Sequence, residues 1–169
     1  MKASAWRKFL QDQREQYGKV LFTVTELAHV AGVSRAVLNV ELARLRPQAI
    51  LMKDAHGLYG LPGAVSVEAL VSAIDSHAYI TGHYALFVHN LVTQVPTTIT
   101  CFTDRRSPRA QERDTPVGRI EFACVRSDVY APMPEGLLVS PAQALCDYVY
   151  LARRRGVRPE ALLTFRNLP

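Results

Sequence analysis

The chain is poor in cysteine, and the few cysteines it has lie far apart. Cys101, Cys124 and Cys146 form no CxxC pair, and three is an odd number. A disulfide-stapled secreted scaffold needs paired cysteines, and a cysteine zinc site needs closely spaced ligands. Neither class matches this sequence. Sparse, scattered cysteines are typical of proteins kept in a reducing compartment, so we expect a cytoplasmic protein.

Long apolar runs are also missing. No stretch approaches the roughly 18 apolar residues that a membrane-spanning helix requires. The first segment, MKASAWRKFLQDQREQYGK, starts with basic residues, but neither an apolar core nor a small-residue cleavage site follows. It is predicted to form a helix rather than a signal peptide. We therefore expect no membrane partner.

The motifs of the common enzyme classes are absent. The sequence has no P-loop, no GxGxxG after a strand and no GxSxG. Its five histidines show no HExxH or other close ligand spacing, so no metal and no cofactor are expected. The prediction is a protein without catalysis of its own. One enzymatic alternative stays open, in which Asp104 and Glu121 form the carboxylate pair of a metal-dependent nuclease.

Positive charge is concentrated in the first third of the chain. The net charge is +5, and residues 1–63 hold nine Lys/Arg against five Asp/Glu, a net of +4. Residues 64–169 hold eleven against ten, a net of +1. This asymmetry favours contact of the first part with a polyanion such as nucleic acid. A solvated basic surface is the alternative.

Residues 22–45, FTVTELAHVAGVSRAVLNVELARL, have the pattern of two short helices joined by a tight turn. Thr23 and Glu26 have the spacing of a capping box, which predicts a helix from Val24 to Ala31. Gly32 permits a sharp turn, and Ser34 is a good N-cap for a second helix over 35–46, before Pro47. Two helices in this arrangement are typical of a helix-turn-helix.

The second helix has one inward face and one outward face. Leu38, Leu42 and Leu45 recur at helical spacing and predict the buried stripe. After it, the residues from Asp54 to Gly57 are predicted to turn between two β-prone runs. A hairpin in this position, with Lys53 and His56 near its tip, makes the whole a winged helix-turn-helix.

The Gly/Pro-rich segment GLPGAVS at 60–66 marks a joint. We therefore predict two domains, a winged helix-turn-helix DNA-binding domain at 1–63 and a small α+β domain at 64–169. In the second domain the patterns predict helices over about 66–76, 79–92, 140–154 and 158–165, strands over 97–103 and from 118 onward, and a loop over 104–116.

In a helix-turn-helix the second helix enters the major groove, so its outward residues should meet DNA. Arginine fits guanine and asparagine fits adenine, whereas valine methyls contact thymine methyls and basic side chains contact phosphates. The candidate DNA-binding residues are Ser34, Arg35, Val37, Asn39, Val40, Arg44, Arg46, Lys53 and His56. Because the outward face is apolar and includes Glu41, a helix used only for protein contact or dimerisation is the alternative.

A second basic cluster lies in the predicted loop over 104–116 and just after it. Its members are Arg105, Arg106, Arg109, Arg113 and Arg119, interspersed with acidic residues. Guanidinium groups in such a loop can bind phosphate or an acidic partner. The alternative is a solvated loop of mixed charge.

In the second domain, Tyr79–Gly82 is followed by Ala85, Leu86 and His89, and then by the step QVPTTIT at 94–100. A helix beginning Ser140-Pro141 carries Ala144, Leu145 and Asp147. Together with the winged-helix pattern, this order resembles the AbiEi family of antitoxins and transcriptional regulators of bacterial type IV toxin–antitoxin (abortive infection) systems. The resemblance covers roughly residues 20–155.

The resemblance implies a repressor that binds inverted repeats of double-stranded DNA in its own promoter, as a homodimer, through the winged helix. It implies DNA contacts from Arg35 and Asn39, with the basic face of the second domain as a further contributor. It also implies a second domain that opposes a nucleotidyltransferase-like toxin without forming a stable complex with it. Family members often continue past the position of Pro169, so we expect a short member or a truncated chain.

Overall fold

The computed structural model describes residues 1–106, 111–131 and 136–159. The chain divides into two compact units, of which unit 1 ends at Leu70 and unit 2 begins at Val71. The division falls inside a helix, α4 (Val67–Ile74), after the Gly/Pro-rich joint at which the sequence places the boundary. Within the described ranges no helix has the length and apolar character needed to cross a membrane.

Unit 1 consists of three helices and a small antiparallel sheet, followed by the first residues of α4. The elements are α1 (Ala3–Tyr17), β1 (Leu21–Thr23), α2 (Val24–Ala31), α3 (Arg35–Leu45), β2 (Met52–Ala55) and β3 (Leu58–Gly60). The strand order is β1-β3-β2, with both pairings antiparallel. The first segment forms the predicted helix, α2 has the predicted bounds, and α3 ends one residue before its predicted end. The predicted hairpin is also present, but β1 is an addition that the sequence analysis did not foresee.

Local capping chemistry sets the ends of these helices. At the start of α2 the Thr23 hydroxyl accepts from the Glu26 amide at 3.2 Å, while the Glu26 carboxylate accepts from the Thr23 amide at 2.8 Å. This is the predicted capping box. Gly32 ends α2 with φ +64°, a left-handed conformation that glycine adopts without strain. The turn into α3 is therefore short and has a defined direction.

The core of unit 1 joins all three helices and the sheet. The predicted stripe of α3 is buried, together with residues of α1, β1 and α2; the fully buried large side chains are Trp6, Leu10, Leu27, Leu38, Leu42 and Leu51. Burying a leucine side chain of this kind contributes about 1.5–3 kcal/mol. The packing therefore fixes α3 against the rest of unit 1 along one face and leaves the other face outward.

The hairpin differs from its prediction in one respect. The turn consists of His56 and Gly57 only, and Asp54, predicted to lie in that turn, belongs to β2 and is buried. The pairing of β2 with β3 shifts register between Lys53 and Ala55, so Asp54 occupies a β-bulge. A bulge breaks the alternation of side chains and redirects one of them. Here it directs a carboxylate into the core.

Unit 2 is a mixed α+β unit built on a four-stranded sheet. Its strands are β4 (Tyr79–Thr81), β5 (Thr98–Thr103), β6 (Glu112–Thr115) and β7 (Gly118–Cys124), in the order β4-β5-β7-β6. The central pair β5–β7 is parallel, whereas both outer pairings are antiparallel. The predicted α+β class is thus confirmed for the described residues.

Two predicted elements of unit 2 were wrong in their bounds. Residues 79–81, expected to begin a helix that reaches residue 92, form β4, and the helix α5 (Gly82–Val88) starts after them and ends at Val88. Within the loop predicted over 104–116, residues 112–115 form β6, which pairs with β7. Long-range pairing overrides local preference at both places. Most of the last predicted helix, from residue 160 onward, lies outside the described residues.

The helices α5 and α6 (Pro141–Arg154) pack on each other and on β4. Asp147 of α6 is buried between them and the sheet, where it accepts from the Thr81 hydroxyl and the Gln143 amide, each at 2.7 Å. Burial raises the pKa of Asp147, although hydrogen bonds from Thr81, Gln143 and Tyr79 act in the opposite direction. The Tyr79–Gly82 and Ser140–Asp147 motifs are therefore neighbours in the core.

Candidate nucleic-acid interface

The outward face of α3 brings together most of the residues predicted to contact DNA. Arg35, Asn39, Arg44 and Arg46 are exposed. On the same helix the side chains of Val37 and Val40 are 50% and 54% exposed. Outside the leucine stripe, α3 thus presents arginine and asparagine donors on one flank and two valines on its far side, a composition that can contact base edges and methyl groups in a groove.

Ser34 has a structural role at the start of this helix. Its hydroxyl accepts from the Val37 amide at 3.5 Å, which is the N-cap expected from the sequence. The cap satisfies one of the free amides in the first turn of α3. Ser34 thereby fixes the position from which the Arg35 side chain leaves the backbone.

Arg35 is held by the neighbouring helix. Its Nη2 donates to Oγ1 of Thr25 on α2 at 2.7 Å. A guanidinium has five N–H donors, so this bond leaves others for a ligand while it limits the rotamers of a long side chain. The two helices therefore place Arg35 at the junction between α2 and α3.

Glu41, the acidic residue of α3, is engaged elsewhere. One of its oxygens pairs with the amino group of Met1, and the other accepts from Nε1 of Trp6 at 3.1 Å. The amino group, assisted by Trp6, lowers the pKa of Glu41 despite an opposing effect of burial. The carboxylate is thus directed towards α1, and its charge is balanced there.

The hairpin contributes the remaining predicted residues. Lys53 is exposed on β2, and His56 is exposed in the turn to β3. Because β2 lies at the edge of the three-stranded sheet, Lys53 is next to solvent. Both residues lie on unit 1 with α3, as the sequence analysis predicts, and both are placed where a phosphate could approach.

The second predicted basic cluster divides in the structure. Arg105, Arg106 and Arg113 line one cavity of unit 2, together with Arg126 and Arg154. Arg119 lies apart from that cavity, in ion pairs with Asp114 and Glu112. Arg109 lies outside the described residues. Arg126 and Arg154 were not predicted as members of the cluster, because no spacing signal in the sequence connects them to the loop.

The two carboxylates of the nuclease alternative have different partners. Asp104 Oδ1 lies 3.3 Å from Nδ1 of His77, whereas Glu121 pairs with Arg155 of the segment after α6. In the sheet, Glu121 of β7 is the register partner of Thr100 in β5. Asp104 is the first residue after β5, four positions beyond Thr100. In the described part of the chain no three His, Cys, Asp or Glu side chains are grouped to hold a metal ion.

Comparison with known protein families found no family that matches this chain, and no curated protein matches it significantly.

Proposed function

We propose that this protein is a cytoplasmic DNA-binding transcriptional autoregulator and antitoxin, in which unit 1 is a winged helix-turn-helix. In this proposal α3 enters the major groove of the protein's own promoter, and the hairpin β2–β3 is the wing. The observation that carries the proposal is the exposed surface of α3, where Arg35 and Asn39 lie beside a fully buried leucine stripe.

Affinity and sequence preference have separate sources in this proposal. Arg44, Arg46 and Lys53 contact phosphates, which orient the protein but carry no sequence information. Arg35 and Asn39 contact base edges, and Val37 and Val40 contact thymine methyls. Two protomers on an inverted repeat would place two copies of α3 about one helical turn of DNA apart.

The test is a fluorescence-anisotropy titration against the protein's own upstream DNA and a scrambled duplex, at several salt concentrations. We expect preferential binding to the upstream DNA and a steep loss of affinity with salt. The double variant Arg35→Ala/Asn39→Ala should remove the preference. Lys8→Ala is the control: Lys8 lies on α1, half a helical turn away from buried Trp6 and Leu10. Equal binding of both duplexes by the wild type would refute the proposal.

One observation favours a second candidate function, a dimerisation module without sequence-specific DNA binding. Half-exposed Val37 and Val40 form an apolar pair on the outward face of α3. If that face is a protein contact, Val37→Ser/Val40→Ser should convert a dimer into a monomer in sedimentation equilibrium, and DNA affinity should be absent throughout. If the outward face of α3 contacts DNA instead, the same variant should bind DNA more weakly. The molecular mass of the DNA-free protein in sedimentation equilibrium should then be unchanged.

The antitoxin part of the proposal is supported by the resemblance of Tyr79–Thr100 and Ser140–Asp147 to the AbiEi family. Both segments lie in unit 2 and meet through Thr81 and Asp147. We propose that unit 2 opposes a nucleotidyltransferase-like toxin without catalysis and without a stable complex. Co-expression with such a toxin encoded beside the gene should restore bacterial growth. Arg35→Ala/Asn39→Ala, expressed from an unrelated promoter, should restore growth equally well, whereas growth arrest with the wild type would contradict the antitoxin role.

A further inference from the structure

We propose that unit 2 holds a binding site for a nucleotide, in a cavity lined by five arginines. The cavity has a volume of about 1330 Å³, and its arginines are Arg105, Arg106, Arg113, Arg126 and Arg154. Hereafter it is called the arginine cavity. It lies entirely within unit 2 and uses none of the residues of α3, so the proposal is independent of the function proposed for unit 1.

The positive charge of the arginine cavity is only partly balanced. Asp75 and Asp104 are the acidic residues of its lining, and Arg126 pairs with Asp128 outside the lining at 2.7 Å, so five arginines and three aspartates leave a formal charge of +2. Among the described residues, Arg105, Arg106 and Arg154 form no ion pair. Arg154 donates to the main-chain oxygen of Cys124 at 3.0 Å, which leaves its charge in place. Like charges around one concavity repel each other, and an anion removes that repulsion.

Arginine is the side chain best suited to phosphate. Its planar guanidinium can donate two parallel hydrogen bonds to phosphate oxygens, and these charge-assisted bonds are stronger than neutral ones. The arginines of the cavity come from three separate parts of the chain: the segment after β5, the β6–β7 region with the residues that follow it, and the end of α6. Guanidinium groups from three segments therefore line one cavity, where several of them can bind one chain of phosphates.

Other residues of the lining indicate a nucleoside joined to the phosphates. Tyr150, half-buried, lines the cavity and meets Phe102 edge-on with ring centroids 6.1 Å apart. An aromatic ring in this setting can contact a base. Asp75 accepts from the Thr103 hydroxyl at 2.8 Å, and both residues line the cavity. A carboxylate repels phosphate but accepts hydrogen bonds from ribose hydroxyls or a base amino group.

The form of the site favours a small ligand over a duplex. Cavities that bind small molecules measure roughly 300–1,000 Å³, so the arginine cavity has room for a nucleotide with some water. Part of its wall consists of buried residues, among them Thr103, Phe122 and Val125. The phosphates of a double helix lie on its convex outer surface, so they would reach only the rim of the arginine cavity. A free nucleotide can enter and contact the wall of the cavity as well.

The experiment is isothermal titration of the full chain with ATP, GTP, AMP, pyrophosphate and inorganic phosphate at physiological salt. We expect saturable binding of at least one nucleotide, tighter than pyrophosphate by tenfold or more. The double variant Arg105→Ala/Arg154→Ala should weaken nucleotide binding at least tenfold. Binding of pyrophosphate as tightly as any nucleotide, or no binding of any of the five probes, would overturn the proposal.

The matched control is Arg119→Ala/Arg153→Ala, which also removes two arginines from unit 2. Neither residue lines the cavity: Arg119 pairs with Asp114, and Arg153 is exposed on α6 beside Arg154. The control variant should bind the nucleotide as tightly as the wild type does. If both double variants lose the same affinity for the nucleotide, the loss comes from the lower net charge of the protein and not from the cavity. If the alanine variant does not fold, Arg105→Lys/Arg154→Lys keeps the charge but loses the planar donors, and it should still bind severalfold more weakly.

Two further arms decide the ligand class. Tyr150→Leu should weaken nucleotide binding while leaving pyrophosphate binding unchanged, and unchanged nucleotide binding would contradict the base contact. The second arm is carried out in the Arg35→Ala/Asn39→Ala variant, in which α3 no longer contributes to DNA binding. If adding Arg105→Ala/Arg154→Ala to this background reduces affinity for duplex DNA but not for nucleotide, the cavity is a nucleic-acid surface and the proposal fails.

Discussion

The guanidinium of Arg35 donates to the hydroxyl of Thr25 at 2.7 Å, and this bond joins the first turn of α3 to α2. Both residues are exposed, so the bond forms at the surface that we propose to contact DNA. A long side chain that is already held in one place loses less conformational freedom when it binds a ligand. Thr25 is thus expected to prepare Arg35 for contact.

Thr25→Val tests this role of the bond. The substitution removes the acceptor but keeps the shape of the side chain, and a hydrogen bond of this kind contributes about 0.5–1.5 kcal/mol. We expect affinity for the upstream DNA to fall about threefold to tenfold, with the helix content unchanged in circular dichroism. The effect should vanish when Arg35 is already alanine. A loss of the same size in the Arg35→Ala background would mean that Thr25 contacts DNA itself.

Asp54→Asn should stabilise unit 1 at neutral pH. The Asp54 side chain is buried in the bulge of β2, and its Oδ2 has no hydrogen-bond partner among the described residues. Burial therefore raises the pKa of Asp54. Asparagine keeps the shape and removes the charge, so we expect a gain of about 1 kcal/mol in the free energy of unfolding. Thermal melts at neutral pH measure it, with Asp12→Asn on α1 as the control without such a gain.

The stability gain from Asp54→Asn should depend on pH, and the sign of that dependence follows from the raised pKa of Asp54. Since its pKa is raised on folding, Asp54 favours the folded state while it is protonated, and this contribution is lost as pH rises from the unfolded value of about 3.9 through the folded value. The gain from Asp54→Asn should therefore be smaller at about pH 4 than at about pH 8. A gain that is equal at both pH values would show that the charge of Asp54 is not the cause.

Gly60→Ala should destabilise unit 1. A Cβ at this position of β3 would lie 2.2 Å from Oδ2 of Asp54 and 2.3 Å from Cγ2 of Val65, both closer than atoms can approach. Overpacking of this kind costs about 1–3 kcal/mol. Urea unfolding should show a lower midpoint at unchanged slope. Val65→Ala in the same chain removes one of the two clashes and should recover part of the loss, so a double variant less stable than Gly60→Ala would contradict this explanation.

Thr81→Val should loosen the core of unit 2. The Thr81 hydroxyl donates to buried Asp147, and valine leaves that carboxylate with fewer donors. We expect a loss of about 1–3 kcal/mol, because the buried carboxylate loses one donor that water does not replace, while its bond from Gln143 stays. Hydrogen exchange followed by mass spectrometry should show faster exchange in β4 and α6. Thr97→Val, at an exposed position before β5, is the matched control and should leave exchange unchanged.

The features predicted well from sequence are those set by neighbours along the chain. The capping box of Thr23 and Glu26, the Gly32 turn and the leucine stripe of α3 depend on residues three or four positions apart, so their signals are contained in a short window. The start of α6 at Ser140-Pro141 is of the same kind, because the Ser140 hydroxyl accepts from the Gln143 amide three residues later. Such elements were confirmed almost residue for residue.

The features that were missed depend on partners far away in the sequence. β1 and β4 are three-residue strands that owe their conformation to pairing with β3 and β5, and β6 owes its own to β7. The arginine cavity combines Arg105 with Arg126 and Arg154, which no window of the sequence connects. The inward direction of Asp54 depends on a bulge, which shifts the strand by one residue and has no composition signal.

Trp6 provides an intrinsic fluorescence signal from unit 1. It is the single tryptophan of the chain, it is fully buried, and its Nε1 donates to Glu41 of α3. Indole emission depends on the polarity and charge around the ring, so a displacement of α3 that alters the Glu41 contact changes the signal. Unfolding of unit 1 can therefore be followed by intrinsic emission without attaching a dye, and the same signal tests whether the DNA binding that we propose displaces α3.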